Sequence, residues 1–297
     1  MRAPTALLLA LLVDACLGEP PARVHPVVWM GRVLTWLEGH TPRGAWARLV
    51  YGGVVAVGLP AGWGLLGAGL ERVAPWPVQA LLLKPTFAGH ALLHAARRVE
   101  DALSDGDLDR ARLNVRWLVS RPTDDLAPEL VAAATIESLA ENLVDSWLAP
   151  LLAYACFGLA GGYAYRAANT ADAMWGYRTP VYEELGKAVA RLDDALNLLP
   201  ARLGAVLLIG LGHNPRASAS VWRRDAGRTP SPNAGQSMAA IAGQLGVRLE
   251  KRDAYVLNAA QREPNSRDVR RARRLVQTAM VASAALGLLL RGLLAHD

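Results

Sequence analysis

Leu49-Val-Tyr-Gly-Gly-Val-Val-Ala-Val-Gly-Leu-Pro-Ala-Gly-Trp-Gly-Leu-Leu-Gly-Ala-Gly-Leu70 runs for 22 residues without a charge. A helix rises 1.5 Å per residue, so about 20 apolar residues cross a hydrocarbon layer ~30 Å thick, and this stretch is long enough. Ser146 to Tyr165 adds 20 uncharged residues, and Leu275 to Leu290 adds 16. The latter reaches span length if Arg291 snorkels to the interface. Leu203 to Pro215, 13 uncharged residues, is short and reads as a tilted or re-entrant piece. Ala3 to Val13 could pass for a signal-peptide core, but Asp14 stands where cleavage wants a small or apolar residue, so a retained segment is favoured.

With 52% hydrophobic residues and a positive mean hydropathy, the chain is predicted to be an all-α, polytopic integral membrane protein. One membrane-embedded domain, 1–297, is expected to hold apolar segments at about 3–18, 49–70, 143–165, 203–215 and 275–295. Amphipathic helices fill the connecting loops. Residues 86–119 read as two of them, broken near Ser104-Asp105-Gly106. Residues 128–157 read as one long helix opened by Pro128, and 236–263 as helical again, with a break at Pro264-Asn265-Ser266. No stretch alternates convincingly as a strand. Cys16 and Cys156 lie in apolar segments and offer neither a disulfide framework nor metal spacing.

The net charge is +6, and the basic side is almost wholly arginine. A coding bias with membrane-facing loops accounts for this as well as recognition of phosphate and carboxylate does. A basic face with aromatic interleaving is missing, so no nucleic-acid partner is expected. With five spans, the N-terminal tail and the loops 71–142 and 216–274 share a side and carry most of the 32 Lys and Arg. The positive-inside rule puts them in the cytoplasm. That model sets the loop 166–202 opposite the other motif loops, whereas one cytoplasmic site needs them together; the motifs outrank the charge count.

Several clusters carry chemistry. Glu137, Glu141 and Asp145 recur every four residues, within roughly an 80° arc of a helix, and Asn142 adjoins them. Such a stripe is often a solvated face, but here it runs into an apolar span, where acidic groups are expensive and usually functional. Tyr165-Arg-Ala-Ala-Asn-Thr-Ala-Asp172 places Asn169 one turn from Asp172, ahead of Gly176-Tyr177-Arg178. A polar cap at the membrane surface explains it equally well. Asp193, Asp194 and Asn197 lie within about a 100° arc, flanked by Arg191 and Arg202. Converging oxygens of this kind suit Mg²⁺, which commonly bridges carboxylates to a substrate phosphate. Thr229-Pro-Ser231-Pro-Asn233-Ala-Gly235 precedes a helix and is either an anion-binding turn or an ordinary cap. Asp14, Gly18-Glu-Pro-Pro21, His25-Pro26 and Gly31-Arg32 complete the set. No Walker loop, dinucleotide fingerprint, HExxH or GxSxG motif occurs.

In this order and spacing, these motifs resemble the adenosylcobinamide-phosphate synthase family of cobalamin biosynthesis, CobD/CbiB, over about residues 8–250. The sequence departs from the family pattern at Arg121-Pro-Thr123, Leu143-Val144 and Gln236, without loss of an acidic or amide group. The resemblance implies an ATP-dependent ligase in the inner membrane, its active site facing the cytoplasm. It would join the corrin f-side-chain carboxyl of adenosylcobyric acid to aminopropanol or its O-phosphate. ATP is then a cosubstrate, Mg²⁺ the expected cofactor, membrane lipid the surroundings, and other late cobalamin-pathway enzymes conceivable partners. On that basis Glu137, Glu141, Asn142, Asp172, Arg178 and Arg191 are the catalytic candidates. Asp145, Asp193, Asp194 and Asn197 are the metal candidates. Asp14, His25, Arg32, Asn169, Tyr177, Arg202, Ser231, Asn233 and Gly235 are the substrate-binding candidates. Two alternatives stand beside it: an Mg²⁺-dependent intramembrane prenyl- or alcohol-phosphate transferase, and a corrinoid carrier or scaffold without turnover.

Overall fold

The computed structural model describes residues 2–177 and 179–294. In chain order the helices are α1 (Arg2–Leu17), α2 (Pro26–Glu38), α3 (Ala45–Val73), α4 (Trp76–Leu83), α5 (Gly89–Ser104), α6 (Leu108–Val115) and α7 (Pro128–Leu143). A π-helical turn at Val144–Leu148 joins α7 to α8 (Ala149–Trp175). Then come α9 (Lys187–Leu211), α10 (Pro215–Asp225), α11 (Ala234–Leu245), a hairpin of β1 (Leu249–Lys251) and β2 (Tyr255–Leu257), and α12 (Ser266–Leu294). Among the described residues, Ala45–Val73, Pro128–Trp175, Lys187–Leu211 and Ser266–Leu294 are long and apolar enough to cross a membrane. Pro4–Leu17 is a shorter apolar helix. The all-α membrane class expected from sequence is the one found.

Two expectations are corrected. The short block from Leu203 is the second half of α9, a 25-residue helix. Arg191, Asp193, Asp194 and Arg202 precede Leu203 in the same helix and cut the uncharged run short, while the helix continues through Pro200. Residues 236–263 are not helical throughout: α11 ends at Gly246 in the left-handed conformation (φ 64°), and β1 and β2 follow as an antiparallel pair. Strands of three residues are too short for an alternating pattern to register in sequence, although Leu249 and Leu257 face each other, buried. The guanidinium of Arg291, near the end of α12, is received by Glu71 and the Tyr154 ring.

The chain separates into two compact units. The first gathers Met1–Ala88, Ala149–Asn197 and Ala284–Asp297. Here α3 lies close along α8, because Gly67 has no side chain: a Cβ there would sit 2.6 Å from the Leu159 carbonyl oxygen. The other side of α3 leaves Val54, Val57 and Leu65 mostly exposed, the surface that lipid would cover. Within α8 the helix breaks at Gly158 (φ 64°, ψ −153°), a backbone conformation essentially confined to glycine. The break frees N–H groups of the following turn, and the Glu71 carboxylate accepts that of Leu159 at 2.9 Å.

The second unit comprises Gly89–Leu148 and Leu198–Ser283. Its α5, α6 and α7 close on Val99, Ala102, Ala111, Val115, Leu126, Val131 and Ala134. The break between α5 and α6 falls at Gly106 (φ 74°), where the sequence predicts it. Two buried carboxylates hold the remainder: Asp225 between Arg224, Arg228 and the Asn258 N–H, and Asp268 between Arg262, Arg271 and the Asn265 N–H.

Candidate active site

In the second unit, the C-terminal half of α7, the segment before it and the hairpin line an open cavity of about 140 Å³. Glu137, Ser138 and Glu141 project from α7, Arg121 from the preceding loop, and Lys251 and Tyr255 from β1 and β2. Glu137 is only 5% exposed. Its Oε2 accepts from Arg121 Nη2 at 3.4 Å, longer than a strong charge-assisted bond, and the Tyr255 hydroxyl is its other hydrogen-bonding neighbour. Burial first, and then the charges of Glu137 and Glu141, push the Tyr255 phenol well above its usual range, so its proton stays on at neutral pH. Asn142 is turned along its own helix: its amide donates to the Ser138 carbonyl and hydroxyl, and its Oδ1 accepts from Ser146. Asp145 stands in the π turn, where the even four-residue spacing from Glu141 no longer applies.

Also in this unit, the Ser-Pro-Asn-Ala-Gly motif forms the turn that opens α11. The Asn233 N–H donates to Ser231 Oγ, and the Gly235 N–H to Thr229 Oγ1. Gly235 is required by space, since a Cβ would lie 2.1 Å from the Ala226 oxygen. Arg202 reaches this turn, with Nη1 3.4 Å from Asn233 Oδ1.

In the first unit, α8 and α9 share a chain of side-chain hydrogen bonds. Tyr165 donates to Asn197 Oδ1 at 2.9 Å, Asn197 Nδ2 donates to Asp193 Oδ2 at 3.0 Å, and Asn169 Nδ2 donates to Asp193 Oδ1 at 3.3 Å. Arg166 donates to Asn169 Oδ1. The structure therefore brings Asn169, Asp193 and Asn197 together, and adds Tyr165 and Arg166. Asp194 is half-buried, and Arg191 and Arg32 are exposed. Asp172 lies in the last turn of α8, accepting the Gly176 N–H on its backbone oxygen; Tyr177 beyond the helix is exposed, and Arg178 lies outside the described residues.

The same unit holds a network that the sequence reading did not assemble. Lys84, 2% exposed, sits 3.1 Å from Asp14 Oδ1 and 2.6 Å from Glu19 Oε1. His25 Nε2 lies 3.1 Å from Glu19, while its Nδ1 accepts the Val27 N–H and so caps α2. Burial alone would raise the Glu19 carboxyl, but hydrogen bonds from His25 and Lys84 outweigh it and hold Glu19 below its usual range. Lys84 was findable: it is one of few lysines and closes an apolar run. Arg121, Lys251 and Tyr255 carry no comparable signal, because the loop and hairpin that aim them are not legible locally.

Among the described residues, no three His, Cys, Asp or Glu side chains converge as a metal cage. Asp193 receives two amide donors, and Asp145 belongs to the other unit. By themselves these residues do not form a Mg²⁺ cage; one or two carboxylates would need phosphate oxygens and water to complete its shell, the usual habit of this cation.

Apolar spans that carry buried carboxylate–amide networks define a polytopic membrane protein with the makings of a polar catalytic site. The family model described as CobD/Cbib protein matches residues 7–283, and the chain belongs to that family. A protein of Methanothermobacter thermautotrophicus called probable cobalamin biosynthesis protein CobD is 39% identical over 86% of this chain and 87% of its own length. Cobalamin biosynthesis protein CobD of Chromobacterium violaceum is 40% identical, covering 97% and 96%. Cobalamin biosynthesis protein CbiB of Salmonella typhimurium is 36% identical, covering 94% of each. No solved structure matches.

Proposed function

We propose that this chain catalyses the amide-forming step of cobalamin biosynthesis, joining the f-side-chain propionate of adenosylcobyric acid to aminopropanol or its O-phosphate. One observation carries the reading: the family match runs through residues 7–283 and so takes in each carboxylate and amide cluster described above. The relatives' names supply the pathway, and the motifs supply the means.

A carboxylate is a poor electrophile and needs activation. Its oxygen attacks the γ-phosphorus of ATP, the bond to the β-phosphate bridging oxygen breaks, and ADP leaves. The amine nitrogen then attacks the acyl carbon, phosphate departs, and a carboxylate takes the ammonium proton, since only the neutral amine is nucleophilic. Mg²⁺, when bound, supplies positive charge to the phosphates. Asp193 and Asp194 are the carboxylates that would hold it. Glu137 and Glu141 are the carboxylates proposed to receive the amine and its proton, and Arg191 and Arg202 the cations proposed to balance anionic charge. The site would face the cytoplasm, and the motif residues rather than the loop charges carry that assignment.

The test is growth of a B12-requiring strain that lacks the synthase and carries this gene. Rescue on cobyric acid, where the empty vector grows only on cobinamide, is the expected result. Failure despite confirmed membrane expression removes the proposal.

A further inference from the structure

The uncharged stretch of α12 begins at Leu275, and the eight residues before it, Arg267 to Arg274, hold five arginines and one acid, Asp268. At 100° per residue, Arg267, Arg270, Arg271 and Arg274 fall within a ~100° arc that also contains Val281, two turns further on. Val281 is 67% exposed, as a residue covered by acyl chains would be, and the stripe runs on in sequence to Ala285 and Leu289. The opposite face, Val269, Ala272, Val276 and Ala279, is buried in protein. The arginines therefore lie on the outward side of the helix. A rise of 1.5 Å per residue sets Arg270 to Arg274 within about 8 Å of Leu275, the level of a headgroup layer roughly 5–7 Å deep.

Cation is in excess on this surface. Glu100 alone answers both Arg270 and Arg273, and Asp268 takes Arg271. Arg274 has no carboxylate partner among the described residues. Arg270 also lines an open cleft with Arg98 of α5 and Arg110 of α6. Of the two acids in that cleft, Asp105 is held by Arg110 and Asp101 lies near Arg97, so Arg98 is left without a carboxylate there.

We infer that the arginine face of α12, with Arg98 beside it, is a docking surface for anionic phospholipid. Guanidinium N–H groups of Arg98, Arg270 and Arg274 receive the phosphodiester, whose geometry their planar fork matches, and the acyl chains run along Val281. A free phosphate would use only the charged part of this face. A phosphodiester attached to acyl chains uses the charged and apolar parts together.

The experiment is thermal unfolding of the purified full-length protein in neutral detergent, titrated with phosphatidylglycerol, phosphatidylcholine or glycerol phosphate. The rise in midpoint reports apparent affinity, because a ligand of the folded state stabilises it by mass action. Phosphatidylglycerol is expected to bind at least about fivefold more tightly than phosphatidylcholine, a preference that fades in high salt. Arg98→Gln and Arg274→Gln, both at exposed positions, should each lose about fivefold for phosphatidylglycerol, the weight of one basic residue near an anionic surface, and little for phosphatidylcholine. Arg252→Gln, an equal loss of charge in the hairpin turn, should keep the wild-type affinity. Equal wild-type affinity for the two lipids, or a preference that high salt leaves intact, would overturn the inference without recourse to any variant. So would a glycerol phosphate effect as large as that of the lipid, which marks a soluble-anion site. Unchanged affinity in both cleft and helix variants, or an equal loss in Arg252→Gln, would overturn it too.

Discussion

Arg291 of α12 donates to Glu71 of α3 at 3.0 Å, and the other oxygen of the same carboxylate accepts the Leu159 N–H at the break in α8. One acidic side chain therefore satisfies a cation and an orphaned helix turn, both on helices apolar enough to lie in a membrane. Replacing Glu71 by alanine should cost about 3 kcal/mol, because the guanidinium and the N–H lose their acceptor together. Thermal unfolding of the detergent-solubilised protein reads this directly. An unchanged midpoint would mean that the ion pair contributes nothing.

A glycine pair separates space from helix propensity. Gly158→Ala should destabilise by more than about 2 kcal/mol, since its Cβ would fall 2.2 Å from a Glu71 oxygen and the backbone conformation disfavours any side chain. Gly69→Ala, with nothing within 4 Å, should be neutral or stabilise by up to about 1 kcal/mol. Equal effects at the two positions would refute the role given to the break.

The Lys84 network should behave as a coupled unit. Lys84→Met leaves Asp14, 2% exposed, with its carboxylate facing Glu19 and no cation between them, and should lower stability sharply. Adding Asp14→Leu should recover part of the loss, giving a coupling above about 1 kcal/mol in a double-mutant cycle. Simple additivity would show that the contact is not an energetic pair.

Acid sensitivity should centre on Asp225. Hydrogen bonds from Arg224, at 2.9 Å each, hold its carboxyl below the ordinary value of 3.8 despite burial, with further help from the Asn258 N–H. A folded-state pKa that is lowered contributes stability above the unfolded value and loses it as pH falls through the folded value. Asp225→Asn should thus be less stable than wild type at neutral pH, with the gap closing below about pH 4. A gap that does not depend on pH would contradict the assignment.

Catalysis gives the last test. Alanine at Glu141 or Asp194, both at least partly solvent-accessible, should abolish synthesis while membrane insertion and unfolding temperature stay near wild type. Full activity in either variant removes that residue from the scheme.

Much of this architecture is legible in the sequence because its signals are local. Leu49–Leu70 needs only its lack of charge, and the α5–α6 break needs only Gly106 in its turn. What failed to read is non-local. Arg191, Asp193, Asp194 and Arg202 mask the part of α9 before Leu203, since a charge looks the same in a window whether it faces water or a neighbouring helix. Asp193, Asn197 and Asn169 were found as motifs, yet their actual partners, Tyr165 and Arg166, follow from how α8 meets α9. Lys84 draws on α1, the following loop and the end of α4 at once, and Lys251 and Tyr255 depend on a hairpin of three-residue strands.

The break at Gly158 also constrains how this sequence can change over time. A side chain at 158 needs the room that the Glu71 carboxylate fills, and removing that carboxylate strands Arg291. The three positions form an evolutionary lock with an ordered key. Arg291 must be neutralised first and Glu71 second, and a larger residue at 158 then still requires the break itself to relax from φ 64°. Homologues with a non-glycine residue at 158 are therefore expected to lack both charges, and lineages that keep either one are expected to retain the glycine.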